Sequence, residues 1–494
     1  VETGRSPEVI WRIADPAGRL SGGPTSMQFR RAILPVAAVA ALALAPAAFA
    51  GNTFSRSTST AGGNETWDSD QINVEAVSET GAGVYVAVLD TGLVSNWKDY
   101  FPRDRVAEEL GTGFYQSVNF KQKNDDPCGV DVEVGTLRQT GFVGSRGSSH
   151  GTHVSSTIIG YNYYSNFDAA SGFPLPAIQV RGIAPDATII PVKVLADYHI
   201  PSLPKCTDPE VPQGTGVVFG TDAMVAAGID YVTSLAEGRL AGSRIVINMS
   251  LGDTVPADSI EDAIDRAIEA GVIVVASAGN EGEDGMGWPG AYPQVISAGA
   301  SGWTGEWLDP GDMTPDPGFF RYRMFWLQDT NGGLTPPLLA GSGDVADPSA
   351  AGDVYVTDFS SREHAGQDLD VLAPGSWVRG PFAGFPGYNH LPWWSRGIAD
   401  LLGVNPGNFF YVGGTSMAAP HISAAAALVL ERDDSLQQSQ IELLFESTAL
   451  PIGAGSRQVW DPFLATPAFT TVTWGADAAG EGLLQVDVAL NALP

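Results

Sequence analysis

The chain is poor in cysteine, in positive charge and in long apolar runs. Its 494 residues include two cysteines, Cys128 and Cys206, which excludes a metal cluster built from paired-cysteine motifs. One disulfide or two separate thiols remain equally open, because sequence does not say whether two Cα atoms come within bridging distance. Lys and Arg number 26 against 56 Asp and Glu, a net charge of −30. A field of that sign repels phosphate backbones and argues against a nucleic-acid partner; it matches an ordinary acidic, secreted surface. The apolar run at residues 32–44 is shorter than the roughly 20 residues a bilayer span needs, and no internal repeat is visible. Hydrophobic residues are plentiful at 44%, enough for a sizeable core and against wholesale disorder. The 59 glycines and 34 prolines announce many loops.

The N-terminal part reads as an export segment. Met27 is followed by Arg30 and Arg31, then by the apolar run, then by Ala48-Phe49-Ala50 before Gly51. A positive start, a short apolar middle and an A-x-A end are the parts of a secretory signal peptide. The expected organisation is a translated leader at residues 1–26, a signal peptide at 27–50, a loose Ser/Thr/Gly-rich arm at 51–69 and one folded domain at 70–494. Localisation is expected to be extracellular or periplasmic, with no membrane attachment after signal cleavage, and the protein is expected to be a monomer.

Within 70–494, apolar runs of strand length occur at residues 84–89, 189–195, 244–248, 272–276 and 294–298. Strands apolar on both faces belong in a parallel sheet covered by helices. Helical patterns alternate with them. Residues 258–270 carry Ile260, Ala263, Ile264, Ala267 and Ile268 on one face, with Gly271 as a stop. Residues 221–237 and 416–431 also read as helices. The expected fold is a three-layer α/β/α domain around a mainly parallel sheet, decorated by insertions near residues 161–180, 199–216, 301–353 and 380–408.

Four short segments carry chemistry. Asp90 ends a buried strand in Val88-Leu89-Asp90-Thr91-Gly92, the edge where open α/β sheets build their sites. His150 opens a helix in His150-Gly151-Thr152-His153; the spacing of its two histidines is not that of a helical zinc motif, and a general base suits it better. Ser416 follows two glycines in Gly413-Gly414-Thr415-Ser416-Met417-Ala418-Ala419-Pro420, which exposes a hydroxyl near helix N–H groups. Asn280 follows a strand in Ala276-Ser277-Ala278-Gly279-Asn280 and offers a donor for developing negative charge.

Together, in the order Asp90, His150, Ser416, these segments resemble the signatures of the subtilisin-like serine peptidases, the subtilases. Gly182-Ile183-Ala184-Pro185, Val192-Lys193-Val194-Leu195, Ile247-Asn248-Met249-Ser250-Leu251-Gly252 and Leu372-Ala373-Pro374-Gly375 extend the likeness over residues 67–490. The resemblance implies a serine endopeptidase acting on proteins or peptides, with Ser416 as nucleophile, His150 as base, Asp90 as its orienting carboxylate and Asn280 as oxyanion donor. It implies that Ser250, Leu251 and Gly252 pair with substrate backbone. Gly287 then floors the P1 pocket, so a broad or apolar P1 preference is expected. It implies no cofactor for the chemistry. Many subtilases carry calcium, and Asp99 matches a ligand position, with Asn162, Asn166 and Asp168 as weaker candidates. His153 and His421 fall in motifs of the family as structural supports. The aromatic stretch 303–326 and Trp393-Trp394 read as packing for insertions. Many relatives carry an inhibitory prosegment; none is recognisable between Gly51 and Asp90. The alternatives fit less well. A silent relative would lack one of the four positions, and an α/β-hydrolase would show G-x-S-x-G and a different order.

Overall fold

The structure, a computed structural model, describes residues 10–12, 58–124, 126–145, 148–163, 178–204, 206–207, 214–306, 345–382, 393–394, 409–461 and 468–494. The expected signal peptide, Asn166, Asp168 and most of the insertions lie outside the described residues.

Nine strands form the central sheet: β1 (Val84–Asp90), β2 (Thr112–Tyr115), β3 (Arg138–Thr140), β4 (Thr188–Lys193), β5 (Arg244–Met249), β6 (Ile273–Ser277), β7 (Ile296–Trp303), β8 (Val354–Val356) and β9 (Val371–Pro374). Their order is β8-β7-β6-β5-β1-β4-β2-β3, with β9 also pairing with β7. Only the β7–β8 and β2–β3 pairs are antiparallel. Among the described residues, the α-helices longer than one turn are α1 (Ser149–Ile159), α2 (Asp222–Glu237), α3 (Asp258–Glu269), α4 (Thr415–Arg432), α5 (Gln438–Thr448) and α6 (Val486–Ala492); Trp67–Asp70 forms a single buried turn.

Alternation along β1 shows why the sheet needs helices on both sides. Val84, Val86 and Val88 join one core with Val154 and Ile158 of α1 and Ile422 of α4. Ala87 and Leu89 join another with Val225 and Ile229 of α2 and Ile260 and Ile264 of α3. This is the expected three-layer sandwich. Helix α4 is fully buried from Thr415 to Leu430; its run Ala424-Ala425-Ala426-Ala427 is small enough to let it lie close against the sheet. Thr221 caps α2 by accepting a hydrogen bond from Met224 N, so that helix starts one residue later than its pattern suggests. Among the described residues, no helix is long and apolar enough to cross a membrane.

The two cysteines are joined: Cys128–Cys206 is a disulfide, which resolves the alternative left open by the sequence. It links the antiparallel hairpin of Val118–Gln122 and Val130–Val134 to the loop between strands Ala196–Ile200 and Thr215–Thr221. Ile10–Arg12 adds a further antiparallel strand beside Thr215–Thr221. Of the aromatic stretch, Trp303 is described; it packs with Trp67 and Val345, as a packing role requires.

At the far side of the sheet, Asp370 beside β9 meets Glu442 and Glu446 of α5. Asp370 is buried and accepts hydrogen bonds from Ser297 N and Oγ, both at 2.7 Å. Burial pushes Asp370 up to about 8 and Glu442 up to about 7, and raises Glu446. The other charged groups facing them, Asp368 and Glu481, are acids as well. Between about pH 4 and 8 the folded protein therefore holds protons that the unfolded chain has released, and stability falls as pH rises through that window. Glu442→Gln should leave the urea midpoint nearly unchanged near pH 5 and raise it near pH 8.5. A midpoint difference that is the same at both pH values would show that this carboxyl group does not carry the effect.

Candidate active site

Strand β1 lies where the chain reverses direction across the sheet: β4 pairs on one side of it and β5 on the other. The crevice at such a switch point is the place where open α/β sheets collect functional groups. Asp90 is the last residue of β1 and is fully buried. His150 Nδ1 donates to it, at 2.8 Å from Oδ2 and 2.9 Å from Oδ1. Thr91 N also donates to Oδ1, at 2.6 Å. Since a carboxylate only accepts, Nδ1 carries the proton and Nε2 is left as the basic nitrogen.

The backbone around this pair is matched to it. Ser148 Oγ donates to Thr91 O at 2.8 Å, and Gly151 N donates to Thr91 Oγ1 at 2.9 Å. A Cβ on Gly151 would lie 2.5 Å from Gly92 O and 3.0 Å from Asp90 Oδ1. Glycine is thus what lets the first turn of α1 reach Asp90.

Ser416 stands in the first turn of α4, and α1 and α4 pack on each other. Its Oγ donates to Ser250 O at 3.3 Å. Among the described residues, no hydrogen bond joins Ser416 to His150. Asn280 is tied to the same helix start: its Oδ1 accepts from Thr415 N at 2.8 Å and from Thr415 Oγ1 at 3.0 Å. That fixes the amide orientation and turns its NH2 group away from Thr415.

Sequence reasoning missed a buried network behind Ser416. Pro420 has no N–H to give to Ser416 O, its partner four residues back in the helix. Ser250 Oγ donates to that carbonyl instead, at 2.8 Å. Asn248 Nδ2 donates to Ser250 Oγ at 3.0 Å, and Ser423 Oγ donates to Asn248 Oδ1 at 2.9 Å. A proline five residues into a helix was the visible signal, since it leaves one carbonyl to be satisfied elsewhere.

The expected substrate-strand residues Ser250, Leu251 and Gly252 follow β5 and are buried. Leu251 O accepts from Ser277 Oγ at 3.4 Å. Gly252 and Gly287 come together, because Asp253 and Trp288 pair as an antiparallel bridge. Space at Gly287 is bounded by Asp253 O, 3.2 Å from where a Cβ would stand. Beyond Trp288, a cavity of about 340 Å³ is rimmed by Glu281, Asp284, Met286 and His364.

His153 and His421 are both buried. His153 Nε2 donates to Val378 O at 3.1 Å; burial and the nearby His150 push its pKa down to about 3, so it stays neutral beside the site. The ring nitrogens of His421 meet Met417 O at 2.8 Å and Asp68 Oδ2 at 3.1 Å. Asp99 stands in a short turn and accepts from Asn96 Nδ2 at 3.3 Å. Among the described residues, it is not gathered with two further acidic, histidine or cysteine ligands. Asn162 is held by Tyr100 O through its backbone, with its Oδ1 facing Gln179 Nε2 at 3.5 Å.

By fold this is an α/β protein with a buried Asp–His pair and a serine-bearing helix start near its switch point. Residues 81–479 match the family described as Subtilase (Peptidase S8), and the chain belongs to that family. It is 26% identical over 378 residues to Subtilisin E of Bacillus subtilis (strain 168), covering 76% of this chain and 62% of that protein. It is 26% identical over 379 residues to Subtilisin of Bacillus pumilus, covering 76% and 86% respectively. Among solved structures it matches fervidolysin of Fervidobacterium pennivorans, described as a keratinolytic enzyme related to subtilisin, at 23% identity and a TM-score of 0.46. That match covers 86% of this chain and 45% of that one.

The close approach at Gly151 is testable. Gly151→Ala should cost roughly 1–3 kcal/mol through overpacking against Gly92 and Asp90, read as a lowered urea midpoint. Gly62→Ala, where an added Cβ meets nothing within 4 Å, should be silent. Equal midpoints for the two variants would contradict the packing argument.

Proposed function

We propose that the protein is a secreted serine endopeptidase that cleaves peptide bonds through an acyl-enzyme intermediate. The observation that carries this reading is the buried Asp90–His150 pair, with its basic nitrogen free of Asp90. A serine hydroxyl attacks a carbonyl carbon effectively only when a base takes its proton. In the proposed cycle Ser416 Oγ turns from Ser250 O toward His150 Nε2 as substrate arrives. His150 takes the proton, Asp90 holds the ring and stabilises the imidazolium, and His150 then returns the proton to the leaving amine. Asn280 and the backbone N–H of Ser416 hold the tetrahedral oxyanion.

Substrate lies extended along residues 250–252, with main-chain hydrogen bonds supplying affinity. A glycine at 287 leaves the P1 side chain room without a charge at that position, so a broad or apolar P1 preference belongs to the reading. So do a signal peptide at residues 27–50, a catalytic domain at 70–494 and a monomeric state. No cofactor enters the chemistry. A structural calcium with Asp99 as a ligand is kept as a proposal outside the reaction path.

Ser416→Ala should reduce hydrolysis of casein and of labelling by a peptidyl phosphonate to background, while circular dichroism and urea midpoint stay near those of the parent. Hydrolysis retained by that variant would remove Ser416 from its role. Cleavage predominantly after Lys or Arg in a peptide library would overturn the P1 assignment and leave the nucleophile untouched.

A further inference from the structure

A cavity of about 190 Å³ opens beside the Asp90–His150 pair; Tyr115 and Lys193 at strand ends of the central sheet form part of its wall, and a hairpin outside that sheet forms another part. Thr91 and Ser148 line it on the side of the pair, and Leu195, Ala196, Asp197 and Val218 line it from the hairpin of Ala196–Ile200 and Thr215–Thr221. This hairpin is fastened at three points. Near the pair, Ser145 Oγ donates to Asp197 Oδ2, which ties the hairpin to the loop that leads into α1. In its middle, Tyr198 stacks on Phe219 with centroids 4.2 Å apart and on Tyr115 at 5.9 Å, and its hydroxyl donates to Gln116 O at 2.7 Å. Outside, Phe120 of the neighbouring hairpin packs edge-on against Phe219 at 6.1 Å, and Cys128–Cys206 bonds the far ends of the two hairpins together.

An isolated two-stranded hairpin is marginal in water, and the strand that Ile10–Arg12 adds beside Thr215–Thr221 is only 3 residues long. Position errors of about 1 Å in groups that hold a substrate are enough to cost large factors in rate. We propose that the disulfide-linked hairpins are a brace that sets the width of this cavity, making Cys128, Cys206 and Phe120 positioning residues for the part of a peptide substrate that extends away from the scissile bond. The proposal rests on the peptidase reading above. The brace acts on binding of extended substrate and not on the reacting groups. Its removal therefore changes the response to long substrates and spares short ones.

The test compares the parent with the Cys128→Ser/Cys206→Ser double variant and, as a variant that keeps the disulfide, Phe120→Ala. Each is assayed on a single-residue ester and on a four-residue peptide anilide. The brace predicts a KM for the tetrapeptide raised roughly tenfold in the double variant and in the same direction for Phe120→Ala, with ester kcat/KM within about twofold of the parent. Unchanged tetrapeptide KM, or equal losses on both substrates, would overturn it. Amide hydrogen exchange over Thr215–Thr221 supplies a readout independent of activity: exchange should accelerate in the double variant, and unchanged protection would also overturn the brace. A parent protein that turns over neither substrate and is not labelled by a phosphonate would defeat the peptidase reading, and the exchange measurement would still decide the brace.

Discussion

The site depends on satisfying one carboxylate where water does not reach it. Asp90 is fully buried, and a buried carboxylate is costly unless it is paired and hydrogen-bonded. It is held by two donors, Thr91 N and His150 Nδ1. Removing either partner would leave a buried charge uncompensated, which costs far more than the pair itself contributes. Gly151, Ser148 and the Thr91 hydroxyl are consequences of that requirement: they bring a helix start close enough for an imidazole to serve as the counter-donor. The same hydrogen bond fixes the tautomer, so a constraint of folding also sets which nitrogen is basic.

Ser416 is positioned by a second, neutral device. Pro420 opens one carbonyl of α4, and the chain Ser423–Asn248–Ser250 fills it from β5. The start of the buried helix is thereby locked to the end of a sheet strand at the residue that carries the hydroxyl. Asn280 locks the preceding residue, Thr415, through two hydrogen bonds. A buried network with every member paired specifies one geometry, whereas apolar packing alone would tolerate small slides of a helix rich in alanine.

Much of this was legible in the sequence, for physical reasons. Strands covered on both faces must be apolar throughout, so β1, β4, β5 and β6 stand out as continuous runs; their ends were displaced by a few residues because pairing, not composition, decides where a strand stops. The placement of Asp90 at a strand end and of His150 and Ser416 in the first turn of helices was legible from the apolar runs and small residues around them. The Asn248–Ser423 link was not, since it joins residues 175 apart that only the fold brings together. The pairing of Cys128 with Cys206 was undecidable for the same reason. The buried ring of His153 gives no sign in the sequence of its lowered pKa, which arises from what packs around it.

The uneven use of stabilising devices follows from where each part of the chain lies. The nine-stranded sheet buries both faces, and its strands need no covalent help. The hairpins around Phe120 and Phe219 stand at the sheet's margin, where both strands of the Phe120 hairpin alternate half-buried and exposed residues and the other hairpin buries few large side chains, Tyr198 and Phe219. Such elements are stabilised by local contacts alone, and these contacts are strongest where aromatic rings stack and where a cross-link limits the unfolded alternatives. The only disulfide among the described residues therefore falls outside the main core clusters, at the far ends of the hairpins, one of which lines the cavity next to the Asp90–His150 pair. The Lys121–Glu133 ion pair across the Phe120 hairpin is exposed on both sides, and such surface pairs contribute little, so stacking and covalent linkage are the main means left to hold a wall whose spacing a substrate would sense.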